Sequence, residues 1–216
     1  MSSLFLSDSR QYIEQKVLSL LNNVDLMNKN TLNSPRAVGD AIQSFLEERL
    51  HYCFPENSMI NYGGSFARRS MADYAFEDKE GYYYVIDFKT HSLATKFNMP
   101  NITSVERLAR FYKDFRNYFV ILMVSYTIEK NRLSFQKCLF APIESFDWSC
   151  LTLGALGWGQ VQIANANNIV IKDTITRKQW MLSLCDELDV FYPNEITKIT
   201  DRIDYFKKIR TFWEHQ

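Results

Sequence analysis

Apolar residues recur at helical spacing through the first part of the chain and then switch to strand-like runs. Ile13, Val17, Leu20, Leu21 and Val24 fall on one face of a helix predicted over residues 8–24, with Asp8 as its N-cap and Gln11 three residues on. Ser34-Pro35 opens a second helix whose buried face is Val38, Ala41, Ile42, Phe45 and Leu46. "ADYAF" and "YYYVIDFK" flank the turn "EDKEG", where Gly81 gives conformational freedom and the charges hold the turn in water, so this stretch predicts a β-hairpin. "TSVE", Thr103 to Glu106, reads as a capping box for a helix burying Val105, Leu108, Ala109, Tyr112 and Phe115. "YFVILMVSYTI", residues 118–128, is a central strand by its apolar, β-branched character, and "LSFQKCLFAPI" returns beside it. A glycine-rich loop, "LGALGWGQVQI", an "NANN" turn and two helices starting near Thr176 and Asn194 complete the chain. The order predicts an α/β fold with a mixed central sheet flanked by helices.

Three charged positions break the apolar pattern of the hairpin. With pairing symmetric about Glu80, Asp73 faces Asp87; alternation puts Lys89 on the face of Asp87, while Ile86 and Phe88 point into the core. Two carboxylates repel unless a cation lies between them, and hard oxygen ligands suit Mg²⁺. The competing reading is an ordinary cross-strand ion pair on an exposed sheet face. Glu14/Lys16 and Glu77/Lys79 have the same spacing, but one lies on the amphipathic first helix and the other in the turn.

Composition narrows the classes. The chain has 216 residues, 46% of them hydrophobic, enough for one domain with a substantial core. No apolar run approaches the ~18 residues of a membrane span and no basic leader is present, so a soluble, cytoplasmic protein is expected. Cys53, Cys138, Cys150 and Cys185 have no CxxC spacing and His51, His91 and His215 are scattered, which argues against structural zinc and a disulfide framework. The 25 basic and 25 acidic residues cancel overall. Between Lys89 and Arg116, however, six Lys/Arg stand against two Asp/Glu, a local excess of positive charge that can attract phosphates.

Asp73 followed by Asp87-Phe88-Lys89, with a helix before and a helix and apolar strand after, resembles the PD-(D/E)XK nuclease core, although Ala72 stands where that motif has proline. "IDFKTHS", then "NMPNITSVERLA", "GWGQVQI" and "TITRKQW", is similar to the HincII-type branch of type II restriction endonucleases, related to EcoRV. The similarity runs patchily from about Gly39 to about Lys208 and is strongest over residues 72–108. It implies a restriction-endonuclease-like core in a single nuclease domain: residues 1–33 with an N-terminal helix that is a dimerisation candidate, 34–128 as catalytic core, and 129–216 with DNA-recognition and C-terminal helices.

It further implies Mg²⁺-dependent, sequence-specific hydrolysis of double-stranded DNA giving 5′-phosphate, blunt ends, with Mn²⁺ as a substitute. Asp73, Asp87 and the Phe88 carbonyl would hold the metal, and Lys89 would act on the attacking water. Thr90 and Asp40 are accessory candidates, each weighed against an ordinary strand threonine and a solvated helix acid. Asn98, Asn101, Thr103 and Ser104 correspond to a minor-groove segment, though at least one is expected to cap the helix instead. Residues 152–162, with Gly157, Gln160 and Gln162, correspond to the recognition segment, in which Trp158 and Val161 are expected to pack. Arg68, Arg69, Lys96, Arg177 and Lys178 are candidate phosphate clamps, with solvated surface charge as the alternative. The resemblance also implies a homodimer and, in the host, a cognate DNA methyltransferase that is not a binding partner. A PD-(D/E)XK nuclease of repair or phage type and a non-catalytic DNA-binding domain are the alternatives.

Overall fold

The computed structural model describes residues 2–27, 34–67 and 72–216. The chain divides into two compact units, residues 1–172 and 173–216.

The first unit is built on a five-stranded sheet in the order β1-β2-β3-β5-β6. Its strands are β1 (Met59–Gly63), β2 (Tyr74–Asp78), β3 (Tyr83–Ser92), β5 (Asn117–Glu129) and β6 (Arg132–Pro142). β1, β2 and β3 form an antiparallel meander, β5 runs parallel to β3, and β6 returns antiparallel to β5. A parallel pair needs a crossover, and the segment between β3 and β5 supplies it through β4 (Asn101–Ser104) and a short helix. This is a mixed sheet with helices, as the alternation of patterns predicted.

The helices are α1 (Ser7–Asn22), α2 (Pro35–Arg49), α3 (Gly64–Ala67) and α4 (Val105–Phe111). Ile13, Val17 and Leu21 of α1 and Val38, Ile42 and Leu46 of α2 are fully buried in one core with Tyr84, Ile86, Phe88, Val120 and Phe140 of the sheet. α1 lies along β6, where its side chains satisfy backbone groups of the outermost strand. Asn22 Nδ2 donates to the Phe135 carbonyl at 2.9 Å, Phe135 N donates to Asn22 Oδ1 at 3.0 Å, and Phe140 N donates to Glu14 Oε1 at 2.9 Å. The apolar face of α1 formed by Ile13, Val17 and Leu21 is thus used inside its own chain.

Local differences from the expectations have identifiable causes. The N-cap of α1 is Leu6, without a side-chain cap bond; Asp8 sits in the first turn. Thr103 and Ser104 are drawn into β4 by pairing with Val161 and Gln160, so the capping box at "TSVE" is not formed. α4 is therefore short, and Ala109 and Phe115 lie exposed. In the hairpin turn, Asp78 is buried, not solvated: its Oδ1 accepts from Glu80 N and Tyr82 N, both at 2.9 Å, and Oδ2 accepts from the Tyr84 hydroxyl.

The second unit is one helix, α5 (Arg177–Glu214), 38 residues long, where two were expected. It opens on the capping box of Thr176 and Gln179 and runs through Pro193 without a break. Proline removes one internal hydrogen bond but the flanking turns keep theirs; the Thr197 hydroxyl adds a 3.1 Å bond to the Pro193 carbonyl. Among the described residues no helix is long and apolar enough to cross a membrane.

Candidate active site and nucleic-acid surface

The hairpin pairs in the predicted register: Tyr74 with Ile86, Ala75 with Val85, Phe76 with Tyr84 and Glu77 with Tyr83. The ladder changes at the next residue. Asp73 N donates to the Ile86 carbonyl at 3.0 Å, and Asp73 Oδ2 accepts from Phe88 N at 2.7 Å. Asp73 therefore does not make a regular ladder pair with Asp87; its carboxylate takes the place of a backbone acceptor and is fixed against the Asp87-Phe88-Lys89 segment.

Asp87 and Lys89 occupy the face of β3 opposite the core formed with α1 and α2. Lys89 Nζ lies 2.6 Å from each Asp87 oxygen. Only Oδ1 receives a hydrogen bond of acceptable geometry; Oδ2 is buried with the charge contact alone. Burial drives the Asp87 carboxyl up to about 7, against the pull of the Lys89 ammonium, and the neighbouring Asp73 charge adds to the rise. Asp73 is raised as well, chiefly by burial and opposed by the Phe88 N–H, by Lys89 and by a bond from Gln43, while Glu47 adds to the rise. Two carboxylates whose charges disfavour one another, with one ammonium between them, form a coupled group, the kind of perturbation that collects at functional sites.

α2 completes the surroundings. Gln43 Nε2 donates to Asp73 Oδ1 at 3.1 Å and to Glu47 Oε1 at 2.9 Å. Gln43, Glu47, Gly64, Ser65 and Asp73 line an open cleft of about 410 Å³. Gly64 makes the approach possible: a Cβ there would stand 3.3 Å from Glu47 Oε2. Asp40, the helix acid singled out from the sequence, is exposed, and Gln43 and Glu47, one and two turns on along the same helix, act on Asp73 instead. Helical spacing from Asp40 was the available signal. Thr90 alternates to the α2 side, its hydroxyl 3.1 Å from where a Cβ of Gly39 would stand, away from the face of Lys89.

The oxygen atoms gathered here suit a hard divalent cation: Asp73 and Asp87 offer carboxylates, and Asp87 Oδ2 is a buried acceptor without a donor. Among the described residues no three His, Cys, Asp or Glu side chains are grouped closely enough to hold a metal ion by themselves. A cation at this place would complete its shell with backbone, phosphate and water oxygens, as Mg²⁺ commonly does.

His91, the next residue on the face of Asp87 and Lys89, is buried, with Nε2 2.9 Å from Asn167 Oδ1 and Nδ1 3.5 Å from Asn98 Nδ2. Asn167 Nδ2 in turn donates to the carbonyls of Thr95 and Lys96, each at 3.1 Å. This network ties the exposed segment after β3 to the face that carries Asp87 and Lys89, and strand alternation from Lys89 was the signal for it.

The two segments read as DNA-contacting come together in one three-stranded sheet, β4-β8-β7, with β7 (Leu151–Gly154) and β8 (Gln160–Ile163). Asn101 pairs with Gln162, whose amide donates to the Asn101 side chain, and Ser104 pairs with Gln160. Thr103 is buried. Gly154 lies beneath Gln162, where a Cβ would come within 2.7 Å of Gln162 Oε1. Thr103, Ser104, Arg107, Gly157, Trp158 and Gln160 line a cleft of about 460 Å³. Val161 packs as expected, but Trp158 stands 64% exposed at the rim, beside Gly157 in its left-handed conformation (φ 59°). Lys96 is exposed, Arg177 and Lys178 begin α5 in the second unit, and Arg68 and Arg69 lie outside the described residues. Compared with protein-family models and with curated proteins, the chain matches none.

Proposed function

We propose that this protein is a Mg²⁺-dependent endonuclease of the PD-(D/E)XK type that cuts double-stranded DNA, with the sequence specificity and blunt cleavage of a HincII-like restriction enzyme. The observation that carries the reading is the fixing of the Asp73 carboxylate on Phe88 N beside the buried Asp87–Lys89 pair, on the middle strand of a mixed sheet. Asp73, Asp87 and the Phe88 carbonyl would hold the cation. A bound Mg²⁺ would polarise the scissile phosphate and lower the pKa of its water.

The chain's own groups then have distinct tasks. Gln43 and the Phe88 N–H hold Asp73 in place and favour its charged form. Lys89, which contacts Asp87 in this structure, would orient the attacking water and offset charge on the transition state. The β4-β8-β7 sheet offers amides at Asn101, Gln160 and Gln162 for base edges, with Arg107 nearby for phosphate. Incubation of the protein with plasmid DNA and Mg²⁺ tests the proposal: discrete fragments are expected, and a smear would favour a repair- or phage-type nuclease of the same core.

A non-catalytic DNA-binding domain is the second reading. It is favoured by the contact of Lys89 with both Asp87 oxygens, an ion pair that forms without a metal. The absence of cleavage under Mg²⁺ or Mn²⁺, with DNA binding retained, would select it.

A further inference from the structure

α5 carries an exposed apolar seam. Ile196, Ile199, Ile203 and Phe206 recur at alternating spacings of three and four residues, and each is about half exposed or more. The same spacing reaches Tyr192 and Leu182 toward the N-terminus and Trp213 toward the C-terminus, giving the a and d positions of successive heptads. Two polar residues, Asp189 and Arg210, fall on the seam. An apolar stripe of this length on a 38-residue helix is the signature of a helix partner.

We infer that the partner is α5 of a second copy of this chain, packed antiparallel in a single register. Charge selects that arrangement. In a parallel pair Asp189 would meet its own copy, Arg210 would do the same, and Arg202 would face Lys207 of the other helix across the flanking positions. An antiparallel pair whose seam residues sum to 395 stacks Ile196 on Ile199 and Ile203 on Tyr192, and brings Leu182 to Trp213. In that register the flanking Glu195 meets Arg202, Asp186 meets Lys207, and Leu188 meets Ile209, each contact repeated by the twofold axis. The two seam exceptions, Asp189 and the other copy's Arg210, fall in adjacent layers and neutralise one another. Sliding by one heptad toward the C-terminus sets Arg202 on its own copy and Asp186 on Glu214; sliding the other way sets Glu195 on its own copy. Within the helix, Lys207 is paired with Asp204 in an exposed contact that leaves its side chain available to a partner, while Glu195, paired with Lys198, shows only 13% of its side chain to solvent. The inference stands apart from the nuclease reading, since it uses no residue of that site.

Sedimentation of the full chain at micromolar concentration tests it, together with thiol oxidation. Wild type is expected to be a dimer and Ile196→Asp a monomer. Arg202→Glu should weaken association about tenfold or more, because symmetry repeats the lost pair, and Glu195→Arg in the same chain should restore it. Under mild oxidation wild type should form no cross-link through the exposed Cys185, because the two copies of that residue would lie ~37 Å apart along the axis. Arg210→Cys should give a covalent dimer through Cys185 of the other copy, and Arg210→Cys with Cys185→Ser should not. A monomeric wild type, an unchanged dimer in Ile196→Asp, or a wild-type dimer linked through Cys185 would each overturn the inference.

Discussion

Asp87→Asn isolates the electrostatic cost of the candidate site. Burial raises the Asp87 carboxyl to about 7 in the folded chain, from 3.8 in a solvated one. Between those values the folded chain holds a proton that the unfolded chain has released, so this group's contribution to stability falls as pH rises from about 4 to about 7 and is level above. Asparagine copies the neutral form, and Lys89, whose side chain is 18% exposed, keeps access to water. A gap of about three pH units at about 1.4 kcal/mol each makes the variant more stable than wild type by roughly 4 kcal/mol above pH 8, with the difference fading toward pH 4. For a chain of this size that is about 10 °C in Tm. Urea unfolding of both proteins from pH 4 to 9 in EDTA measures the difference directly. A variant that is less stable than wild type at pH 8, or a difference independent of pH, would refute the reasoning by showing that the Lys89 pair outweighs the burial of the carboxylate.

Other outcomes follow from the same geometry. Gln43→Ala removes a donor to Asp73 and should raise the pH at which the carboxylate ionises, seen by NMR titration as an upward shift. Gly154→Ala sets a Cβ against the end of the flexible Gln162 side chain, which should swing aside and lose its bond to Asn101 with little change in stability by chemical denaturation. Replacing Gln160 should change or abolish sequence preference, whereas Arg177→Ala should weaken binding to all DNA alike and reduce its salt dependence, by fluorescence titration at several salt concentrations. Sequencing of cleaved termini should find blunt ends; staggered ends would restrict the resemblance to the catalytic core.

The hairpin was legible because Gly81 and the alternation of Ile86 and Phe88 with Asp87 and Lys89 constrain register locally. Its last step was not: Asp73 departs from the ladder because its carboxylate competes for Phe88 N, an interaction that alternation does not encode. Gln43 and Glu47 depend on how α2 lies against the sheet, a tertiary fact that favoured them over Asp40. Thr103 and Ser104 carried a capping pattern as strong as that of Thr176 and Gln179, yet pairing with β8 claimed the first and left the second to form. Pairing of β4 with β8 joins residues some sixty positions apart in sequence, and nothing local in either segment signals it.

The most direct test of the central claim is supercoiled-plasmid cleavage by wild type, Asp87→Ala and Lys89→Ala, each with Mg²⁺, with Ca²⁺ and with EDTA. The account predicts discrete linear fragments from wild type in Mg²⁺ alone, DNA binding without turnover in Ca²⁺, and loss of cleavage in both variants with DNA binding retained. Cleavage that persists in either variant would contradict the assignment of Asp87 and Lys89, and a wild type that leaves every plasmid intact in Mg²⁺ and Mn²⁺ would contradict the nuclease itself.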